Sequence, residues 1–157
     1  MSTVTDTESA VAAVDVEFVT FYVDNILIGV DIHHVEEINR RVEVTTVPHA
    51  PEYVRGVINL RGEVVTVIDL RTILGLPPGE ITKQIRTVVA HSQDEQIGLL
   101  VDRIADVVKT RTDQIDPPPA NMAGIEGRFF TGVHKLRTEL LLILDVNAAL
   151  AGEVATR

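Results

Sequence analysis

The sequence predicts a mainly β protein made of two small barrels of about five strands each, packed together, with short helices between strands. Two observations support this fold class. Short runs of β-branched and other apolar residues recur along the chain, separated by Asp, Asn, Gly and Pro residues that favour turns. In addition, two stretches of sequence occur twice, in the same order.

The first half of the chain divides into strands at its turn residues. The runs EFVTFYV (17–23) and ILIGVDI (26–32) flank Asp24-Asn25, and both residue types tolerate the left-handed conformation of a tight hairpin. Residues 34–40 predict one or two helical turns. A Thr/Val stretch then leads to Pro48 and Pro51, which interrupt regular structure.

A second hairpin is predicted from GVINL (56–60) and EVVTVID (63–69), which flank Arg61-Gly62. Asp69 ends the second of these runs, and its carboxylate can accept hydrogen bonds from the first free amides of a helix. We therefore expect a short helix over 70–75.

The second half repeats this organisation. RTVVAH (86–91) and IGLLV (97–101) are predicted strands, and a charged segment continues to Asp116. The run ELLLILD (139–145) is compatible with a buried helix or a strand, and its flanking turn residues favour a strand. Asp145 is a second predicted cap, before a last helix from about Val146.

The internal repeat gives the overall architecture. GVINLRGEVVTVID (56–69) and GVHKLRTELLLILD (132–145) are identical at six of fourteen positions, and IGVDIHHVEEI (28–38) resembles IGLLVDRIADV (97–107). The chain is therefore expected to contain two copies of one β unit, at about 17–75 and 86–151.

The repeat also makes a prediction for single residues. It expects Gly29 to match Gly98 and Arg61 to match Arg137 in two superimposable barrels. Grooves at such junctions are common binding sites, so the groove between the barrels is the expected site.

The predicted domain boundaries follow from this division. Residues 1–16 form an acidic, disordered tail, and residues 152–157 form a short tail at the other end. A single domain over 17–151 lies between them. Its two β subdomains span about 17–75, with packing from the C-terminal segment, and about 86–145.

Composition excludes several function classes. Lys and Arg number 14 against 23 Asp and Glu, which gives a formal charge of −9, and aromatic residues make up 4% with no Trp. Nucleic acid and anionic membranes are therefore not expected partners. No apolar run approaches the ~18 residues that span a bilayer, and no signal peptide is recognisable, so we expect no direct membrane insertion and a cytoplasmic location.

The residues that could perform catalysis are not arranged for it. There is no Cys, the five His lack a metal-binding spacing, and no Gly-rich phosphate loop or Ser nucleophile motif occurs. We therefore expect a protein that is not an enzyme and uses no cofactor and no metal. Arg61 is the residue that instead suggests an interface, because a long planar cation at a hairpin tip does not serve a core.

The block GVINLRGEVVTVIDLR (56–71) resembles the signature of the chemotaxis coupling proteins, the CheW family. The segments IGVDIHHVEEI and IGLLVDRIADVV are also similar to that family, and the resemblance covers about 17–151. It implies two intertwined five-stranded SH3-like barrels. It also implies a non-catalytic adaptor in chemotaxis signal transduction that joins the cytoplasmic tips of transmembrane, methyl-accepting chemoreceptors to the regulatory domain of the histidine kinase CheA.

The resemblance further implies two binding surfaces and recruitment to membrane receptor clusters. The receptor-binding groove is expected to consist of Val35, Glu37, Arg61, Gly98, Ile104 and Val107. The kinase-binding surface is expected to include Ile32, Ile38 and Pro48. Two alternatives remain open from sequence, namely a coupling module of a non-flagellar chemosensory system and an acidic β protein that binds a small molecule.

Overall fold

The computed structural model describes residues 13–40, 43–79, 82–92, 94–119 and 127–149 of the 157-residue chain. The structure is mainly β, as predicted, with short helices. In chain order the strands are β1 (Asp15–Val23), β2 (Ile26–Asp31), β3 (Val35–Asn39), β4 (Val54–Leu60), β5 (Glu63–Asp69), β6 (Arg86–Ser92), β7 (Glu95–Val101), β8 (Arg103–Arg111), β9 (Ile115–Asp116), β10 (Phe130–Lys135) and β11 (Leu140–Leu144). One short helix, α1 (Leu70–Ile73), follows β5, and residues 146–149 are helical.

The strands form two sheets. A six-stranded sheet has the order β8-β1-β2-β11-β10-β9, and a five-stranded sheet has the order β3-β6-β7-β5-β4. In each sheet one central pair is parallel, β2 with β11 and β7 with β5. The two sheets thus have the same internal arrangement, as the repeat predicts.

Each sheet takes strands from both halves of the chain. β1 and β2 from the first half join β8 to β11 in the six-stranded sheet, while β6 and β7 join β3, β4 and β5 in the five-stranded sheet. This corrects the expectation that the stretches 17–75 and 86–151 each build a barrel, and it agrees with the intertwining that the resemblance implies. Of the tails predicted at 1–16 and 152–157, residues 1–12 and 152–157 lie outside the described residues. Asp15 and Val16 belong to β1, so the first predicted boundary is wrong by about two residues.

The strand register relates the two repeats residue by residue. Gly29 lies opposite Ile143 in one sheet and Gly98 lies opposite Val67 in the other. Val67 and Ile143 are themselves matched by the repeat, so the predicted equivalence of the two glycines is confirmed. Arg61 and Arg137 lie in the turns of the corresponding hairpins, β4–β5 and β10–β11.

The core has three parts, because both faces of each sheet are buried. In β11, Leu141 and Ile143 belong to a small cluster on one face of the six-stranded sheet, whereas Leu142 and Leu144 belong to a central cluster that contains residues of both sheets. A third cluster lies on the far face of the five-stranded sheet. Burial on both faces explains why ELLLILD is a continuous apolar run rather than an alternating one.

Local signals predicted the turns and caps correctly. Asp24 has φ 58° between β1 and β2, and Arg61 and Gly62 have φ 50° and 87° between β4 and β5. Asp69 accepts a hydrogen bond from the Arg71 amide at 2.9 Å, and Asp145 accepts one from the Ala148 amide at 3.0 Å.

The prediction of helical turns over residues 34–40 is wrong. A 3-10 turn (Ile32–His34) is followed by β3, which pairs antiparallel with β6 and has a bulge between Val35 and Glu37. Because β6 is more than 45 residues away in sequence, its hydrogen bonds cannot be recognised from the local pattern, and they override a weak helical preference.

Candidate partner-binding site

The hairpin tip predicted to bind a partner is an ordered turn that contacts a second strand. Positive φ angles at Arg61 and Gly62 are those of a tight hairpin turn, and the Asn59 side chain accepts a hydrogen bond from the Gly62 amide at 3.0 Å. The Arg61 guanidinium donates to a carboxylate oxygen of Glu37. Arg61 is nevertheless 69% exposed, so it remains accessible to a partner.

The Glu37–Arg61 pair connects the two edges of the five-stranded sheet. Glu37 is on β3 and Arg61 follows β4, and these strands form the two opposite edges of the sheet. Hydrogen bonding to Glu37, followed by electrostatic attraction to that carboxylate, raises the pKa of Arg61, so the guanidinium stays charged. The family resemblance assigns both residues to one groove, and in the structure they are in direct contact.

Val35 and Ile104 occupy matched positions in the two sheets. Val35 on β3 lies opposite Ala90, and Ile104 on β8 lies opposite Phe21. Both side chains are half-buried and pack against the central cluster between the sheets. They therefore lie on the edge strands that flank the junction, as a groove between the barrels requires.

Val107 is 50% exposed and shares a face of β8 with Ile104. Val107 lies opposite Val19 and Ile104 lies opposite Phe21, and Val19 and Phe21 are on one face of β1. Three residues of β8 therefore span two of β1, and this bulge keeps Val107 and Ile104 on the same face. Val107 therefore lies on the side of its sheet that faces the other sheet.

Gly98 requires a correction. It is buried in the middle of β7, and a Cβ added there would be 3.0 Å from Thr87 Cγ2 and 3.2 Å from Val67 Cγ2. Gly98 thus faces the interior and presents no surface to a partner. A glycine suits this position of the family motif because a larger side chain would crowd Thr87 and Val67 on the neighbouring strands.

The three residues expected to bind a kinase differ in exposure. Ile38 is 43% exposed, Pro48 is exposed, and Ile32 is half-buried in the 3-10 turn. Ile38 lies opposite Val88, and Val107 lies opposite Val19. The repeat matches Ile38 to Val107 and Val88 to Val19, so the two exposed residues occupy equivalent positions. The bulge in β3 places Ile38 on the same face as Val35.

The sequence reasoning missed a second pair of matched, exposed apolar residues. Val64 on β5 is 69% exposed and Leu140 on β11 is 46% exposed. The repeat relates these two residues by the same 76-residue offset that relates Arg61 to Arg137, so the repeat could have revealed them.

An ion pair that was also missed connects the two sheets. Arg71 of α1 donates to Asp102 at 2.6 Å, and the same carboxylate accepts from the Asp24 amide at 2.7 Å. Hydrogen bonding to Asp102 raises the pKa of Arg71. Asp102 lies between β7 and β8, where the chain passes from one sheet to the other.

Other kinds of site find little support in the described residues. No group of three or more His, Asp or Glu side chains among them is arranged to hold a metal ion. A surface cavity of about 550 Å³ is lined mainly by charged residues of both signs, which differs from the apolar lining typical of small-molecule sites. No helix in the described part of the chain is long and apolar enough to span a bilayer.

The sequence also matches a known family over most of its length. The family model described as "CheW-like domain" matches residues 17–154. The chain belongs to the CheW-like family. Members of this family are chemotaxis scaffold or adaptor proteins, generally non-catalytic, and the known role of the family is to couple chemoreceptors to the kinase CheA.

Individual CheW-like relatives agree with this assignment. The chain is 33% identical over 137 residues to the chemotaxis protein CheW of Bacillus subtilis, covering 87% of this chain and 88% of that protein. It is 32% identical over 134 residues to a probable chemotaxis protein CheW of Rhizobium etli, covering 85% and 86%. The crystal structure of the scaffolding protein TtCheW from Thermoanaerobacter tengcongensis is similar, with a TM-score of 0.78 and 30% identity over 85% of this chain and 86% of that one.

Proposed function

We propose that this chain is a non-catalytic adaptor that binds the cytoplasmic tip of a methyl-accepting chemoreceptor and the regulatory domain of a CheA-like histidine kinase. In this role it acts in the cytoplasm and is recruited to receptor clusters at the membrane. The observation that most strongly supports receptor binding is the matched placement of Val35 and Ile104 on the edge strands that flank the junction of the two sheets.

The receptor surface combines apolar and charged groups in the way that a helix requires. Val35, Ile104 and Val107 supply apolar contacts, and the exposed Arg61 with its partner Glu37 supplies a polar rim. An amphipathic helix in a groove is recognised by such apolar anchors, with polar groups at the margins. Signalling contacts of this kind are typically small and transient.

The kinase surface is proposed to include Ile38 and Pro48, which are exposed, and Ile32, which is half-buried. Kinase regulatory domains of the CheA type resemble the CheW fold, so a barrel-to-barrel contact is expected here. Because Ile38 and Val107 are matched by the repeat, the same substitution at both positions provides a direct comparison of the two proposed surfaces.

The experiment measures binding of the full chain to a soluble receptor-tip fragment and to a kinase regulatory domain from the same organism. We expect Ile38→Glu to weaken kinase binding while leaving receptor binding intact, and Val107→Glu to do the reverse, because an unpartnered carboxylate is costly to desolvate. Circular dichroism of both variants checks that the fold is retained. A folded Ile38→Glu variant with undiminished kinase affinity would remove Ile38 from the kinase surface, and absence of both complexes with the unmodified chain would contradict the adaptor function.

A further inference from the structure

Three side chains connect the edge strand β8 to the turn between β10 and β11. The Tyr22 hydroxyl on β1 donates to Glu139 Oε2 at 2.7 Å, and the Arg103 guanidinium on β8 lies 3.9 Å from the centre of the Tyr22 ring. We call this set of Tyr22, Arg103 and Glu139 the tyrosine clasp. Glu139 is itself held in the turn, where its carbonyl accepts from the Leu136 amide at 2.9 Å.

The clasp acts on the short end of β8 that a bulge separates from the rest of the strand. This strand is at the edge of its sheet, and β1 is its one partner among the described strands. The bulge separates its first two residues, Arg103 and Ile104, from the longer paired segment that begins at Val107. Among the described residues, the backbone of this end pairs through Tyr22↔Arg103 and Phe21↔Ile104 and through the hydrogen bond from the Asp102 amide to the Tyr22 carbonyl at 3.0 Å. The Thr20 hydroxyl also donates to the Asp106 carbonyl in the bulge.

Arg103 and Ile104 lie on opposite faces of this strand end. Arg103 lies opposite Tyr22, which packs on the small cluster of the six-stranded sheet, whereas Ile104 packs on the central cluster. A contact that fixes Arg103 on one face therefore fixes the direction of Ile104 on the other, because adjacent residues of a strand alternate in direction.

The five-stranded sheet also has a contact between its edge strand and a hairpin turn, at residues that the repeat does not match to the clasp. There an anion on the edge strand, Glu37, pairs with a cation in the hairpin turn, Arg61. In the six-stranded sheet a cation on the edge strand, Arg103, is linked through Tyr22 to an anion near the hairpin turn, Glu139. Each groove wall is thus connected to the hairpin of its own sheet.

We propose that Tyr22 is a positioning residue for the receptor helix, since its hydroxyl and ring fix the end of β8 that presents Ile104 to the groove. This inference rests on the proposed receptor-binding function. It assigns to Tyr22 no contact with the receptor. Tyr22 acts through Ile104, and Glu139 acts by orienting Tyr22.

The test titrates a soluble chemoreceptor-tip fragment into the full chain by calorimetry. Tyr22→Phe removes only the hydroxyl, and we expect the receptor affinity to fall about three- to tenfold. Glu139→Ala should cause a similar loss, and Glu139→Gln a smaller one, because the amide oxygen can still accept the Tyr22 hydrogen bond. Affinity for the kinase domain should not change.

A matched control lies on the same two strands. Lys109 of β8 and Glu17 of β1 form an ion pair at 3.6 Å beyond the bulge. Glu17→Gln should leave receptor affinity unchanged. Thermal unfolding of every variant identifies any loss of fold.

A double-mutant cycle separates positioning from a general structural effect. If Tyr22 acts through Ile104, Tyr22→Phe should cause no further loss of receptor affinity in an Ile104→Ala background. Equal affinity of the unmodified chain, Tyr22→Phe and Glu139→Ala would overturn the inference, as would a full effect of Tyr22→Phe in the Ile104→Ala background. No receptor binding by the unmodified chain would instead overturn the proposed function on which the inference rests.

Discussion

Arg61, at the tip of the β4–β5 hairpin, is both held by an ion pair and exposed to solvent. Its guanidinium is held by Glu37, yet most of its side chain remains in solvent. A planar cation has five donors, so one carboxylate leaves several of them free for a partner. The intramolecular contact therefore orients Arg61 for binding rather than competing with it.

The first prediction concerns this residue. We expect Arg61→Ala to reduce affinity for the receptor-tip fragment by about ten- to a hundredfold, because charge-assisted hydrogen bonds are lost. Arg61→Lys should recover only part of the affinity, since an ammonium cannot reproduce the planar arrangement of donors. Kinase binding serves as the control, and receptor titrations that coincide for all three proteins would leave Arg61 as a structural turn residue only.

A second prediction at this scale uses the titration of Tyr22. Its hydrogen bond to Glu139 raises the pKa of Tyr22 above 10.0, burial and the carboxylate charge add to the effect, and Arg103 opposes it. A group whose pKa is higher in the folded chain than in the unfolded chain adds to the free energy of unfolding. This contribution is present in full below the unfolded pKa and is lost as the pH rises through the folded pKa.

The measurement is an ultraviolet pH titration of the unmodified chain minus that of Tyr22→Phe. We expect the difference curve to have its midpoint above pH 10.0, and Glu139→Gln to move that midpoint downwards. A midpoint that Glu139→Gln does not lower would show that the hydrogen bond from Tyr22 to Glu139 is absent in solution.

At the scale of the elements, the glycine of β7 has a packing role, although its place in the family motif suggested a binding role. Gly98 is opposite Val67 and beside Thr87, and Gly29 has the same relation to Ile143 and Phe18. A methyl group at either glycine would be within 3.1 Å of a neighbouring side-chain atom. The two glycines thus allow close packing within the two sheets.

The prediction for these elements is a loss of stability. Gly98→Ala should lower the free energy of unfolding by about 1–3 kcal/mol, because the added methyl group displaces packed neighbours. Gly29→Ala should also lower the free energy of unfolding. Val64→Ala, at an exposed position, should change this free energy by only about 0.5 kcal/mol. Chemical denaturation measures all three, and a stable Gly98→Ala variant with weakened receptor binding would instead support a direct role in the groove.

At the level of the whole molecule, the exchange of strands makes the two halves interdependent. The hairpin β1–β2 lies between β8 and β11, both from the second half, and the hairpin β6–β7 lies between β3 and β5 from the first. An isolated two-stranded hairpin is at best marginally stable in water. The Arg71–Asp102 ion pair adds a further link at a chain crossing.

We therefore predict that the chain unfolds in one cooperative transition and that neither half folds alone. Fragments 1–80 and 81–157 should each give poorly dispersed amide resonances, whereas the two halves expressed together should co-purify as a folded complex. A single half with the dispersed spectrum of a β-sheet protein would contradict this.

The sequence alone determined the strand-rich composition, the two tight turns, the caps at Asp69 and Asp145, and the repeat with its matched glycines. These features depend on local residue preferences or on self-similarity, which are visible in one dimension. The motif NLRG with IDLR, placed within the repeat, was enough to indicate the family, and the family model and the relatives confirm it.

Only the tertiary structure decided which strands share a sheet and what each motif residue contacts. β3 was predicted as helical because its pairing with β6 depends on residues far along the chain. The contact of Glu37 with Arg61, the burial of Gly98 and the tyrosine clasp likewise connect segments that are distant in sequence. Such contacts form only when the fold brings the segments together, so no local pattern in a single sequence records them.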